Sequence, residues 1–449
     1  MLSLTQTAKI LNAELSGQDN KFLAVSIDSR SVKTGDLFIA IKGEKFDGHH
    51  FVAEAKSQGA VAAVVQQKVA IDIPQIIVPD TRKALGSLAA YWRNQFKIPV
   101  LALTGSCGKT TTKTMLASIF AQKGQVLSPQ SSYNNDIGLP LTLLKLRSSH
   151  QEVVLEIGAN HVGEIAYLTK IAQPDVAAVL NIGNAHLEGF GDKTGVAKEK
   201  SDIFKGLTSN GIAVINDEDE FASFMRDQLK SHPYITFGLK PSADVYGTKI
   251  RLDEEGKAMF TLNIAGQSEL VTLPTLGEHN VMNALAAAVM AHAVHVPLQQ
   301  IVQGLQNMQV VAKRLNKRRG LNKSIIIDDT YNAIPNAVEA ALKLLARADG
   351  ERIFVFGGMA ELGAETEKQH KQIGQFAKAN NIHRLLAVGV YSHLTVDAFG
   401  AGAELFTSKA DLINQLRGYL HSEATILVKG SRGSRMEDVV EEIIEKDPL

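Results

Sequence analysis

An α/β fold of three domains is predicted for this chain: a central P-loop NTPase-like parallel sheet, a C-terminal Rossmann-like domain and a small N-terminal α/β domain. Three observations point there. A glycine-rich turn, Thr104-Gly105-Ser106-Cys107-Gly108-Lys109-Thr110-Thr111, sits between an apolar run and a helical stretch. The residues after Gly320 repeat a β–α rhythm, and those before Asp80 alternate short β runs with turns. The 449 residues are 45% apolar and 21% charged, material for several cores in a globular chain.

In the N-terminal part, Leu37-Phe38-Ile39-Ala40-Ile41 lies between Gly35-Asp36 and Lys42-Gly43 and reads as a strand between turns. Asp80-Thr81 marks the start of a helix over 83–96, and Pro99 resets the chain, so the first domain is set at 1–82. The central domain, 83–312, opens with a buried strand at 101–103, the glycine-rich turn and a helix over 113–122. Further buried strands fall at 153–155 and 176–180. Residues 244–273 alternate in the manner of antiparallel hairpins, and helices from Asn280 and over 298–308 close the domain. The Ala-rich run 284–296 holds His292 and His295 and is too short to span a bilayer, so it reads as a buried helix. Lys313-Arg314-Leu315-Asn316-Lys317-Arg318-Arg319-Gly320 is a polar basic link into the third domain, 313–449. There, strands at 324–327, 352–356, 384–388 and 425–428 alternate with helices in a doubly wound pattern.

Lys plus Arg and Asp plus Glu number 47 each, so no global field favours nucleic acid or membrane as a partner. Cys107 is the one cysteine, which excludes an intramolecular disulfide and fits a reducing cytoplasm. The first residues, Met1-Leu2-Ser3-Leu4-Thr5-Gln6, lack the basic and apolar regions of a signal peptide. A cytoplasmic location without membrane insertion is therefore expected.

The turn at 104–111 carries the clearest chemistry. Glycines let backbone amides approach phosphate oxygens, and a helix N-terminus adds partial positive charge. Gly105, Ser106, Cys107, Gly108, Lys109, Thr110 and Thr111 form the expected cradle. Lys109 would neutralise the β- and γ-phosphates, and the Thr110 hydroxyl would reach Mg²⁺. The strict Walker spacing is not met, because Leu103 stands at its first glycine position. Cys107 reads as a small loop residue, since no base lies beside it in sequence.

Other segments are too polar and glycine-rich for ordinary core. They include Ser132-Tyr133-Asn134-Asn135-Asp136-Ile137-Gly138, Glu156-Ile157-Gly158-Ala159-Asn160, Asn184-Ala185-His186-Leu187-Glu188-Gly189 and His279-Asn280-Val281-Met282-Asn283-Ala284. With the loop, these resemble the central domain of the Mur ligase family. Asp28-Ser29-Arg30 and Gly43-Glu44-Lys45-Phe46-Asp47-Gly48-His49 echo its N-terminal patterns. Asp328-Asp329-Thr330-Tyr331-Asn332-Ala333, Met359-Ala360-Glu361-Leu362-Gly363 and Lys429-Gly430-Ser431-Arg432 echo its C-terminal ones. The chain is most similar to the members that add D-alanyl-D-alanine to UDP-N-acetylmuramoyl-tripeptide, and the Asp-Asn-Pro-Arg run of the members that add the third stem residue is not found. Three positions depart from the pattern. Gly358 stands where an Asp usually precedes Met-x-Glu-Leu-Gly, Ile334 replaces an Asn before Pro335, and Lys313 replaces a Gly before Arg314.

The resemblance implies an ADP-forming ligase that uses ATP and Mg²⁺, passes through an acyl phosphate and works as a monomer. It implies that Glu156 and His186 bind magnesium, with Glu156 at the carboxyl edge of a buried strand where ligands of parallel sheets collect. It further implies that Lys200, on a helix over 194–204, joins the metal site, at a position that in the family can carry a carbamate. Lys109, His186 and Lys200 would then be the catalytic set, with Glu188 as a structural neighbour. Asn283 would meet adenine, with Asn280 capping the helix, and Arg314 would meet the ATP phosphates. Ser29, Arg30, Gly43, Asp47, Gly48 and His49 would take the UDP-sugar, and Asn134, Asn135 and Asn332 would line the substrate path. Since the motifs are spread over three domains, the domains would have to close around the substrates. Two rivals stay open: a sister ligase with another acceptor, and a nucleotide-driven switch that forms no bond.

Overall fold

The structure is a computed structural model and describes residues 1–129, 133–184, 187–229 and 231–445. Among the described residues, the named strands form three sheets of five, nine and six strands.

The first sheet runs in the order Glu14–Ser16, Gln75–Ile77, Ala62–Val65, Leu37–Ile39, Val25–Ser26, and it is parallel except for the antiparallel edge Glu14–Ser16. The short β runs are therefore strands, but this part also holds the helices Leu4–Ile10 and Val52–Ser57, which the turn-and-strand reading overlooked. Leu4–Ile10 is fixed at its start by a reciprocal cap, in which Ser3 accepts from the Gln6 N–H and Gln6 accepts from the Ser3 N–H.

Helix Thr81–Arg93 joins the first sheet to the second. Asp80 caps it by accepting from the Arg82 and Lys83 N–H groups, and the Thr81 hydroxyl donates back to Ala40 O in the first sheet. Its other end is tied into the second: Trp92 donates to Leu146 O, and Arg93 donates to Ala172 O and Gln173 O. One continuous apolar core runs from the first sheet through Leu85 and Leu88 of this helix to Val100 and Ala102.

The second sheet has the order Gln267–Leu276, Lys257–Ile264, Val245–Leu252, Tyr234–Gly238, Ile212–Asn216, Val176–Val179, Val100–Thr104, His150–Glu156, Gln125–Leu127. Its strands from Val245–Leu252 to Gln125–Leu127 pair in parallel, and the first three listed in this order are antiparallel. Val100–Thr104 is buried on both faces, as a central parallel strand must be, and its Val-Leu-Ala-Leu run meets that demand. Helix Lys109–Phe120 follows it and starts at the loop itself, earlier than the apolar periodicity alone indicates. Helices Asn280–Ala293 and Leu298–Gln306 cover it. The backbones of two helices meet at Gly304, where a Cβ would lie 2.4 Å from Ile119 Cα.

The third sheet has the order Asn316–Arg319, Ile325–Asp329, Ala424–Gly430, Glu351–Gly357, Arg384–Val388, Ala403–Phe406, parallel apart from the first pair. The basic stretch at 313–320 is thus not a plain link, because Asn316–Arg319 pairs antiparallel with Ile325–Asp329. Its side chains stay in water while its backbone finds partners, and charge on an edge strand discourages pairing with another chain. No helix among the described residues is long and apolar enough to cross a membrane.

Close approach at Gly304 leaves no room for a methyl group. Gly304→Ala should destabilise the protein by about 1–3 kcal/mol, the usual cost of overpacking. Urea unfolding checks this, and an unchanged midpoint would mean that these helices can slide apart freely.

Candidate functional site

The glycine-rich loop is shaped by its neighbours. The Ser106 N–H donates to Asn181 O (3.0 Å), the Cys107 N–H to Asn181 Oδ1 (2.9 Å), and the Gly183 N–H to Ser106 Oγ (2.8 Å). Gly108 takes φ +80°, and a Cβ there would lie 2.1 Å from Asn283 Oδ1, so both backbone and space require glycine. The first N–H groups of helix Lys109–Phe120 have no intrahelical acceptor and meet a cleft of about 830 Å³. Burial pushes the Cys107 thiol above its ordinary value against the opposing effect of nearby lysines, which does not suit a nucleophile.

Glu156 ends its strand in this cleft, almost wholly buried, and each oxygen is held. Its Oε2 accepts from the Thr110 hydroxyl (3.0 Å) and its Oε1 from Asn134 Nδ2 (2.9 Å). Lys113 Nζ lies 3.9 Å from Oε2 and donates to Pro129 O (2.8 Å). Sequence reasoning did not nominate Lys113. The signal was present, since Lys113 stands one helical turn after Lys109 on the same face. Lys109 itself donates to Gly105 O (2.7 Å), and desolvation pushes its pKa down while Glu156 opposes this.

The third sheet reaches the loop through Arg314. Its Nη2 donates to Thr110 Oγ1 (2.8 Å), and its guanidinium stacks 4.1 Å from the centre of the Tyr331 ring. Arg314 Nε is buried with no hydrogen-bond partner among the described residues. Beside it, Lys429 donates to Asp329 and to Asn332 O, and Asn332 Oδ1 accepts from the Ala333 and Arg432 N–H groups. Arg82 and Asp136 form an ion pair at 3.0 Å, and Glu44 and Arg82 line the cleft from the N-terminal side. Residues from all three parts of the chain therefore face one cleft.

Lys200 lies on helix Lys193–Ser201 with 1% of its surface exposed, whereas Lys198 faces solvent. Burial first, and then the charge of Lys109, bring the Lys200 pKa down to about 7. A large share of this amine is neutral near pH 7, the form that reacts with carbon dioxide. The adjacent Glu199 is a structural residue: its carboxylate accepts from the Gly163 and Ile165 N–H groups.

The other expected residues divide clearly. Asn283 is buried and donates to Asn280 Oδ1 (2.8 Å). Asn280 is the first residue of its helix, not the cap, and its amide donates to Leu276 O, so the capping expectation is corrected. Asn135 lines the cleft and accepts from the Gly138 N–H. Ser29, Arg30, Gly43, Asp47, Gly48 and His49 are not part of the cleft wall, although Glu44 of the same loop is. Ser29 donates to Glu54, Arg30 forms a two-pronged pair with Asp28, and both His49 ring nitrogens are engaged, by Asp47 and by the Gln66 N–H. His186 and Ser132 lie outside the described residues.

Among the described residues, no three His, Cys, Asp or Glu side chains gather as a metal cage. Thr110 Oγ1 and Glu156 Oε2 are nonetheless hard oxygen donors at the helix N-terminus. That pair fits Mg²⁺, which keeps several waters and takes one or two protein oxygens together with phosphates.

Comparison with known proteins matches this layout. The Mur ligase family catalytic domain matches residues 21–93, the Mur ligase middle domain 103–291, and the Mur ligase glutamate ligase domain 313–432. The UDP-N-acetylmuramoyl-tripeptide--D-alanyl-D-alanine ligase of Escherichia coli (strain K12) is 44% identical, over 98% of this chain and 97% of its own. A crystal structure of MurF from Acinetobacter baumannii aligns with a TM-score of 0.93 at 37% identity, covering 98% of each chain. MurF ligase from Thermotoga maritima, solved in complex with ADP, aligns with a TM-score of 0.84 at 29% identity, covering 93% of this chain and 96% of that one.

Lys200 yields a pH prediction. Its folded-state pKa is depressed, so below about pH 7 the buried charge opposes folding in full, and this opposition fades as pH rises toward the unfolded value of about 10.4. Lys200→Met should therefore be more stable relative to wild type at about pH 6.5 than at about pH 9.5, in bicarbonate-free buffer. Denaturant unfolding at the two pH values reads the difference. A gap that does not narrow as pH rises would contradict the buried-amine assignment.

Proposed function

The chain belongs to the Mur ligase family, and we propose that it joins D-alanyl-D-alanine to UDP-N-acetylmuramoyl-tripeptide at the expense of ATP, forming the pentapeptide precursor of peptidoglycan. The observation that carries this reading is one cleft that brings the phosphate loop, Arg314 and Arg82 together from three parts of the chain, in a chain alike from end to end to ligases of that name. The three sheets act as three domains, divided near residues 82 and 312. The first would take the UDP-sugar through the loops at Ser29, Arg30 and Gly43 to His49, the second ATP, and the third the dipeptide.

In this reading the terminal carboxylate of the tripeptide attacks the γ-phosphorus of ATP, and ADP leaves. The dipeptide amine then attacks the carbonyl carbon of the acyl phosphate, and inorganic phosphate leaves. The helix N-terminus at Lys109 binds the phosphates, while Lys109 and Arg314 offset the charge that spreads over the transferring group. Asn283 and the wall around it hold the adenine side, and Asn134, Asn135 and Asn332 line the path of the substrates. Thr110 and Glu156, with His186 and carbamylated Lys200, would hold Mg²⁺, which when bound screens the phosphate charge. The neutral share of the Lys200 amine near pH 7 supports that carbamate. We take the enzyme to be a cytoplasmic monomer.

A phosphate-release assay tests the reading. Release should require ATP, the UDP-tripeptide and D-alanyl-D-alanine together, and meso-diaminopimelate or L-lysine should not replace the dipeptide. Preference for a single amino acid would make this a sister ligase. Release that ignores both acceptor and UDP-tripeptide would favour a nucleotide switch.

A further inference from the structure

Strands Val100–Thr104 and Val176–Val179 lie side by side in the second sheet, and at the carboxyl edge such neighbours commonly part to leave a crevice for ligands. These two stay joined past their ends. The Leu180 N–H donates to Thr104 O (2.9 Å), the Ser106 N–H to Asn181 O (3.0 Å) and the Gly183 N–H to Ser106 Oγ (2.8 Å). The two chains also touch, since a Cβ on Gly105 would lie 2.9 Å from Leu180 Cβ and one on Gly183 would lie 3.3 Å from Ser106 Cβ. Residues 180–183 are braced in turn from the end of strand Ile212–Asn216. There Asn216 Nδ2 donates to Leu180 O (2.9 Å), and Asp219 accepts from the Ile182 N–H (2.7 Å).

Asn181 adds its side chain to this joint. Its Oδ1 accepts from the Cys107 N–H (2.9 Å) and its Nδ2 donates to the Cys107 carbonyl (3.2 Å). One planar amide thus pairs with both backbone groups of a single residue, as a neighbouring strand would. A carboxylate could not do this, having no proton for the carbonyl, and an apolar side chain offers neither bond. The N–H groups of Ser106 and Cys107 are both spent on Asn181. Donors without an intrahelical acceptor follow at the start of helix Lys109–Phe120, beyond Gly108 at φ +80°. The loop is therefore divided into a half fixed to the sheet and a half that presents amides to the cleft.

We propose that Asn181 is a positioning residue for the nucleotide: by holding the Cys107 backbone it fixes the first half of the loop and so aligns the helix amides beyond Gly108 with the phosphates. It acts through the loop and makes no bond to ATP itself. A loop that had to find this shape only on binding would lose the cost of that ordering from its affinity. The inference rests on the ligase reading for the identity of the nucleotide and specifies how its loop is held ready.

Asn181→Ala and Asn181→Leu test it, the first leaving space and the second filling it, both without adding charge. Either should raise the KM for ATP roughly ten- to thirtyfold, the scale of two lost neutral hydrogen bonds, with the KM for the UDP-tripeptide and for D-alanyl-D-alanine unchanged. Cys107 is the one cysteine of the chain and is partly exposed, so its alkylation by N-ethylmaleimide reports the loop without turnover. In the absence of nucleotide both variants should react severalfold faster than wild type, and saturating ATP should return them toward the wild-type rate. Should one variant fail to fold, the other carries the test by both readouts. An unchanged KM for ATP, an equal rise in all three KM values, or a wild-type alkylation rate would overturn the assignment. A wild type that releases no phosphate with all three substrates present would overturn the ligase reading instead, and the alkylation rates would then judge Asn181 alone.

Discussion

The Thr110 hydroxyl is the point on which the site depends. A hydroxyl has one proton to give and lone pairs to receive, and here both capacities are used. Thr110 donates to Glu156 on the neighbouring strand and accepts from Arg314 of the chain leading into the third sheet. Helix, strand and third sheet therefore meet at one oxygen, at the spot where a helix N-terminus already favours anions and their counter-ions. The Tyr331 ring supports the same guanidinium from its face, 4.1 Å from its centre.

How much of this was legible in sequence depended on distance along the chain. The glycine-rich turn between Val100–Thr104 and Lys109–Phe120 was legible because its residues are contiguous and break the apolar pattern on either side. Lys113 repeats the face of Lys109 one turn later and could have been found. The pairs Arg82–Asp136 and Asp329–Lys429 join residues 54 and 100 positions apart, and no local pattern announces them. Asn316–Arg319 was hidden because its side chains are polar and its stability lies in backbone pairing. Glu156 and Lys200 entered through resemblance, and the structure adds their physical setting: a carboxylate held at both oxygens and an amine deprived of water.

The three departures from the family pattern also take on physical meaning. Gly358 adopts φ +72°, a region where Asp is tolerated and Gly is free, so the exchange leaves the backbone intact. Lys313 adopts φ +62°, which glycine would do without strain, and its ammonium finds a compensating partner in Glu437 at 3.1 Å. Ile334 sits in extended conformation before Pro335 at the start of helix Pro335–Leu345, with no side-chain cap. An Asn would supply that cap, worth about 0.5–2 kcal/mol, while Ile334 instead adds an apolar surface to the cleft.

If Arg314 is the connection between nucleotide and third domain, ATP should draw the domains together by binding the closed arrangement more tightly. Small-angle X-ray scattering with a non-hydrolysable ATP analogue and the UDP-tripeptide measures this directly. The account predicts that the radius of gyration of the wild type falls on adding both ligands and that Arg314→Ala, under the same saturating conditions, stays as extended as without them. Equal compaction of the two proteins would contradict it.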